Sequence, residues 1–129
     1  MHKDWDTQFT NWTTPSSMIQ LLEKFYQKNI LSKSSLEFLW KAMVETTTGP
    51  MRLKGLLPSD AIVAHKTGTS DTNKKGITAA VNDVGIITLP NKKRFAIAVF
   101  VSNSKEDDDT NQRIIAEISK MAWDYFLED

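Results

Sequence analysis

The stretch Arg94-Phe95-Ala96-Ile97-Ala98-Val99-Phe100-Val101-Ser102 is apolar at nearly every position, and this most constrains what the chain can fold into. A strand with one face in water alternates apolar and polar residues, whereas an unbroken apolar strand is covered on both faces. The sheet that contains it therefore needs a layer on each side. Upstream, Ile62, Val63 and His65-Lys66-Thr67 read as a first strand beginning near Ala61, and a second spans about Ile77 to Leu89. The polar loop 70–76 and the turn Pro90-Asn91-Lys92-Lys93 join them into a three-stranded antiparallel meander.

Helices supply the layers. Thr14-Pro15 is an N-cap followed by proline at the first helical position, and Met18, Leu21, Leu22 and Phe25 recur at helical spacing to about Lys28. Ser34 with Glu37 makes a capping box for a second helix, whose inward face is Leu36, Leu39, Trp40, Met43 and Val44 and which stops at Gly49-Pro50. Met51, Leu53, Leu56 and Leu57 mark a short helical turn closed by Pro58. The acidic run Glu106-Asp107-Asp108-Asp109 suits a helix start. Behind it, Ile114, Ile115, Ile118, Met121, Ala122, Tyr125 and Phe126 form the stripe of a C-terminal helix. The expected class is α+β, an αβα sandwich.

At 129 residues the chain is one domain or part of one. Sixteen basic residues balance sixteen acidic ones, which leaves no broad field to attract nucleic acid or anionic lipid. No run reaches the roughly 18 apolar residues of a membrane span, and the first residues, Met1-His2-Lys3-Asp4-Trp5-Asp6, contain no apolar signal-peptide core. As written, the chain is expected to stay in the cytoplasm if made alone. With no cysteine and only His2 and His65 as histidines, neither a metal nor another cofactor is implied. Trp5, Phe9 and Trp12 lie in an opening loop that expects something to pack against.

Lys66-Thr67-Gly68 falls near a strand end, where lysine offers a fixed charge, threonine a hydroxyl, and glycine a bare backbone beside which a ligand can lie as an extra strand. Taken alone, those residues fit a solvated strand end equally well. Ser102-Asn103-Ser104-Lys105 matches the Ser-x-x-Lys pattern of an activated serine, but it follows a strand and does not start a buried helix. Ser70-Asp71-Thr72 is only a partial Ser-Asp-Asn. Lys74-Lys75 and Lys92-Lys93-Arg94 are exposed cations at turns that keep strand ends soluble.

The wider context is more specific. Residues 44–58 (VETTTGPMRLKGLLP) and 63–70 (VAHKTGTS), continued by 78–87 (TAAVNDVGII) and 96–101 (AIAVFV), resemble class A serine β-lactamases, in particular the extended-spectrum branch known as the PER type. The resemblance covers essentially the whole chain and implies the carboxy-terminal half of a serine β-lactamase or penicillin-binding-protein-like fold. In that reading residues 1–13 end the loop after the deacylating glutamate, 14–58 are the helical part, and 59–129 are the sheet and last helix.

The resemblance also implies roles. Lys66 would assist the nucleophile electrostatically, Thr67 would bind the substrate carboxylate, and Gly68 and Thr69 would pair with the acylamino side chain. Thr69 would in addition give its backbone N–H to the oxyanion hole. Ser70 and Thr48 would make further polar contacts. Arg52 would approach the same carboxylate as Thr67, and His2 would help to hold the hydrolytic water. The nucleophilic serine, Ser-Asp-Asn and the loop glutamate are not found in suitable places, so the chain alone is expected to be inactive. The implied partners are a β-lactam in the complete enzyme and either the missing amino-terminal half or another copy of the chain. A self-associating module and a fragment of a penicillin-binding transpeptidase remain the alternatives, and the family's location is the periplasm.

Overall fold

The structure, a computed structural model, describes residues 4–27 and 30–128. Among the described residues, three α-helices and three strands follow the order α1 (Pro15–Gln27), α2 (Lys33–Glu45), β1 (Ile62–Thr69), β2 (Thr78–Thr88), β3 (Arg94–Ser104) and α3 (Asp108–Leu127). The strands form one antiparallel sheet in the order β1-β2-β3, as the meander reading expects. Its register pairs His65 with Gly85, Thr67 with Asp83, and Gly85 with Ile97.

Successive side chains of a strand point to opposite faces, and each face of the sheet has its own core. On one, Leu53, Val63, Val81, Ile87, Ile97 and Val99 pack with Ile115 and Trp123 of α3. On the other, Val84 and Ile86 meet Leu22 and Phe25 of α1, with Met18, Trp40 and Met43 around them. This is why β3 is apolar at both parities. Leu53, Ile87 and Ile115 are fully buried, and burial of such a side chain is worth roughly 1.5–3 kcal/mol.

Local chemistry sets the helix ends. Thr14 Oγ1 accepts the Ser17 N–H at 3.1 Å, with Pro15 as the first residue of α1. For α2 the cap is Ser32, which accepts the Ser35 N–H at 3.2 Å. The Ser34–Glu37 box is therefore corrected: the helix starts two residues earlier, and Ser34 lies within its first turn. Asp107 caps α3 by accepting the Thr110 N–H at 2.8 Å, with Asp108 and Asp109 in the first turn. Between α2 and β1, residues 49–57 form successive tight turns, Arg52 N–H to Gly49 O, Gly55 N–H to Arg52 O and Leu57 N–H to Lys54 O.

Arg94 is more than a solubilising cation. Its guanidinium lies 4.4 Å from the Trp40 ring centroid and 5.1 Å from that of Tyr26, and it donates to the Tyr26 hydroxyl and to Thr88 Oγ1. It thereby ties the start of β3 to α1 and α2. None of the described helices is long and apolar enough to cross a membrane.

Candidate functional site

The connector 49–57 is pressed against β1, and a glycine makes this possible. Gly49 has φ +58, and a Cβ there would come within 2.4 Å of Thr67 Cγ2 and 3.2 Å of Arg52 Cδ. Any side chain would push the connector off the strand. The close approach brings Thr48 beside Thr67, whose Oγ1 donates to Thr48 Oγ1 at 3.1 Å; Thr48 Oγ1 in turn lies 3.0 Å from Thr46 Oγ1.

Three residues on, Arg52 reaches across the sheet. Its Nη1 donates to Gly68 O at 3.1 Å and to Asn82 O at 2.9 Å, and its Nη2 donates to Thr69 Oγ1 at 2.6 Å. The residue is only 8% exposed. Burial pulls the guanidinium below its ordinary pKa, opposed by the negative charges of Asp83 and Asp108. An arginine already spent on two carbonyls and a hydroxyl holds the strand end rigidly, and its planar fork leaves part of Nη2 for an anion beside Thr69.

Lys66 lies elsewhere. Strand alternation places it on the face opposite His65, Thr67 and Thr69, where it is exposed and its Nζ donates to Thr67 O. What Lys66, Thr67, Gly68 and Thr69 share is β1 itself, which among the described residues is an outer strand paired with β2 alone. Ser70 is committed to the hairpin: its Oγ accepts the Ala80 N–H at 2.9 Å and donates to Asp71 O at 3.0 Å. His2 lies outside the described residues. Thr48 with Thr67, and Arg52 with Gly68 and Thr69, thus form two hydrogen-bonded groups side by side in one patch at the end of β1, whereas Lys66 and Ser70 border it.

At the same end of the sheet, where β3 finishes beside the start of β2, Ser104 Oγ donates to Asn111 Oδ1 at 2.6 Å and accepts the Glu106 N–H at 3.1 Å, tying the strand end to α3. In the Ser102–Lys105 pattern these bonds do the work of a turn. A cavity of about 500 Å³ nearby is lined by Phe9, Trp12, Ala79, Asn82 and Phe100 among others, so the aromatic opening segment leans over the sheet there.

Behind the patch is a group that sequence reading missed. His65 and Asp83 have fully buried side chains, and His65 Nδ1 lies 2.9 and 2.8 Å from the two Asp83 carboxylate oxygens. Asp83 Oδ2 also accepts the Leu53 N–H at 3.2 Å, and Ser119 Oγ of α3 donates to Leu53 O at 2.8 Å. Gly85 makes room for the histidine, since a Cβ there would meet Ala64 O at 2.3 Å and His65 Cβ at 2.8 Å. The available signal was an aspartate inside the largely apolar strand 78–87 (TAAVNDVGII), where a charge has to be paired.

The model for a β-lactamase enzyme family matches residues 2–126. The chain belongs to the β-lactamase enzyme family. It is 57% identical to the β-lactamase VEB-1 of Pseudomonas aeruginosa over 98% of its length, and 52% identical to the extended-spectrum β-lactamase PER-1 of the same organism over 99%. The solved structure of the TLA-1 extended-spectrum β-lactamase superposes with a TM-score of 0.95 at 66% identity, covering 98% of the chain. These relatives place the chain in class A and agree with the likeness to the PER type. The match is partial from their side: the chain spans 43% of VEB-1, 41% of PER-1 and 46% of the TLA-1 chain. The three helices and the antiparallel sheet are those of the class A β-lactamase fold.

Proposed function

We propose that this chain is the substrate-gripping wall of a serine β-lactamase, working in the periplasm and completed by an amino-terminal half that carries the nucleophile. In the complete enzyme a serine hydroxyl adds to the lactam carbonyl, the ring C–N bond breaks with a proton passing to the nitrogen, and water then cleaves the resulting ester. Thr67 and Arg52 bind the substrate carboxylate, with Thr48 orienting the Thr67 hydroxyl and Thr69 extending the patch. The bare backbone of Gly68 and Thr69 pairs with the acylamino side chain, the Thr69 N–H completes the oxyanion hole, and Lys66 contributes positive charge near the nucleophile. Ser70 borders the acylamino subsite, and His2 holds the hydrolytic water.

The observation that carries this reading is the bond from Arg52 Nη2 to Thr69 Oγ1, which couples a fixed cation to the strand next to Thr67. Hydroxyls and a guanidinium at one strand edge form a receptor for a carboxylate flanked by an amide. The exposed stripe Ile114, Ile118, Met121 and Tyr125 on α3 supports completion by further chain.

Purified chain should not turn over a chromogenic cephalosporin above buffer, because catalytic groups act as a unit. A chimera in which these 129 residues replace the matching part of VEB-1 should hydrolyse it. Enzyme-like turnover by the chain alone, or a folded chimera that neither acylates nor turns over, would overturn the proposal.

A further inference from the structure

The buried polar group behind the patch is arranged to set the position of Arg52. Its neighbour Leu53 is held at both backbone polar groups: Asp83 Oδ2 accepts its N–H at 3.2 Å and Ser119 Oγ donates to its carbonyl at 2.8 Å. Asp83 is itself oriented by His65, whose Nδ1 spans both carboxylate oxygens. The three side chains come from β2, β1 and α3, and all are at most 1% exposed. An apolar core could hold Leu53 by packing alone, so buried polar groups here add direction that packing does not.

From this geometry we infer that the His65–Asp83 pair, with Ser119, is a positioning device for substrate recognition. It fixes the connector so that the Arg52 guanidinium meets Gly68 O, Asn82 O and Thr69 Oγ1. The Asp83 charge also acts on Arg52 through space. None of the three residues touches the substrate; they act through Arg52. The Nδ1 atom of His65 carries the proton that faces Asp83. Its Nε2 is buried without a partner among the described residues, an arrangement a lone pair tolerates better than an N–H. This inference rests on Arg52 and Thr67 binding the substrate carboxylate.

The test uses the VEB-1 chimera and the variants Asp83→Asn, Arg52→Ala and their double. Asparagine keeps nearly the same volume but offers the Leu53 N–H only a neutral, weaker acceptor, so the fold is kept while the charge that grips Leu53 and orients His65 is lost. Asp83→Asn should raise KM about ten-fold for a carboxylate-bearing cephalosporin while changing kcat less than about two-fold, and in the Arg52→Ala background it should add less than about two-fold. Ser119→Ala should act in the same direction and more weakly. Multiplicative losses in the double variant, or a fall in kcat alone, would overturn the inference, because neither passes through Arg52. Hydrogen exchange at the Leu53 amide needs no turnover: it should quicken about ten-fold or more in Asp83→Asn, and an unchanged rate would equally sink the idea. An unmodified chimera without turnover counts against the proposed function, whereas the amide still reports on the clamp.

Discussion

The two faces of the sheet are built by different means. Between the sheet and α1–α2 the buried core is the apolar cluster of Leu22, Phe25, Val84 and Ile86, and polar contacts occur at the margin, where Arg94 stacks on Trp40. Between the sheet and α3 the apolar core surrounds Arg52, His65, Asp83, Asn111 and Ser119, all buried. Apolar packing is strong but lacks direction, whereas a buried hydrogen bond fixes distance and angle and is costly to break. The residues proposed for recognition, Thr48, Arg52 and Thr69, are attached to the second kind of face. One face holds the sheet and the other aims the connector.

The largest expected effect comes from breaking the polar face. Asp83→Ala strips the partner from buried His65 and from the Leu53 N–H, and should cost about 3–5 kcal/mol. Urea unfolding checks it, and a loss under about 1 kcal/mol would mean that the pair is replaceable. Next, on the apolar face, Leu22→Ala removes a 5% exposed side chain and should cost roughly 2–4 kcal/mol. The comparison predicts a difference in kind as well: in the chimera, Leu22→Ala lowers the melting temperature but leaves KM unchanged. A raised KM would show that both faces aim the site.

Gly49→Ala should cost less, about 1–2 kcal/mol for the positive φ, with a contribution from the contact with Thr67. Its effect should concentrate on the site, since displacing the connector separates Thr48 from Thr67. Substrate binding should therefore suffer more than stability, as KM and unfolding measured on the same variant would show.

These predictions also mark what sequence could and could not reveal. The layered plan was legible because β3 is apolar at both parities, a pattern that only a doubly covered strand tolerates. Thr48, Arg52, Thr67 and Thr69 were legible because they stand within a long resemblance. The His65–Asp83 pair was not, because its partners are 18 positions apart and meet only through the register of β1 and β2. Ser119 lies 66 positions from Leu53, and nothing local in α3 points to it. The start of α2 was misplaced for the opposite reason. Ser32, Ser34 and Ser35 all offer a hydroxyl, and the competition is settled by which of them keeps an extended backbone; Ser32 does, at φ −58 and ψ 156.

The smallest effect separates the caps of helices covering opposite faces. Both Ser32 and Asp107 accept a backbone N–H, but only Asp107 can lose that ability by taking up a proton. Its side-chain and backbone hydrogen bonds to Thr110 hold its carboxyl below the ordinary carboxylate pKa. A group whose folded pKa is depressed stabilises the fold above its unfolded value and loses that contribution as pH falls through the folded one. Wild-type protein should therefore exceed Asp107→Asn in stability near neutral pH, and the margin should shrink as the solution is acidified through and below the ordinary aspartate range. Asparagine keeps the cap without the charge, so the difference isolates the carboxylate's interaction with the amino terminus of α3. Ser32→Ala, by contrast, should destabilise by about 1 kcal/mol with no such dependence. A margin for Asp107 that stays constant down to strongly acid pH would mean that its charge contributes nothing and that the two caps work alike.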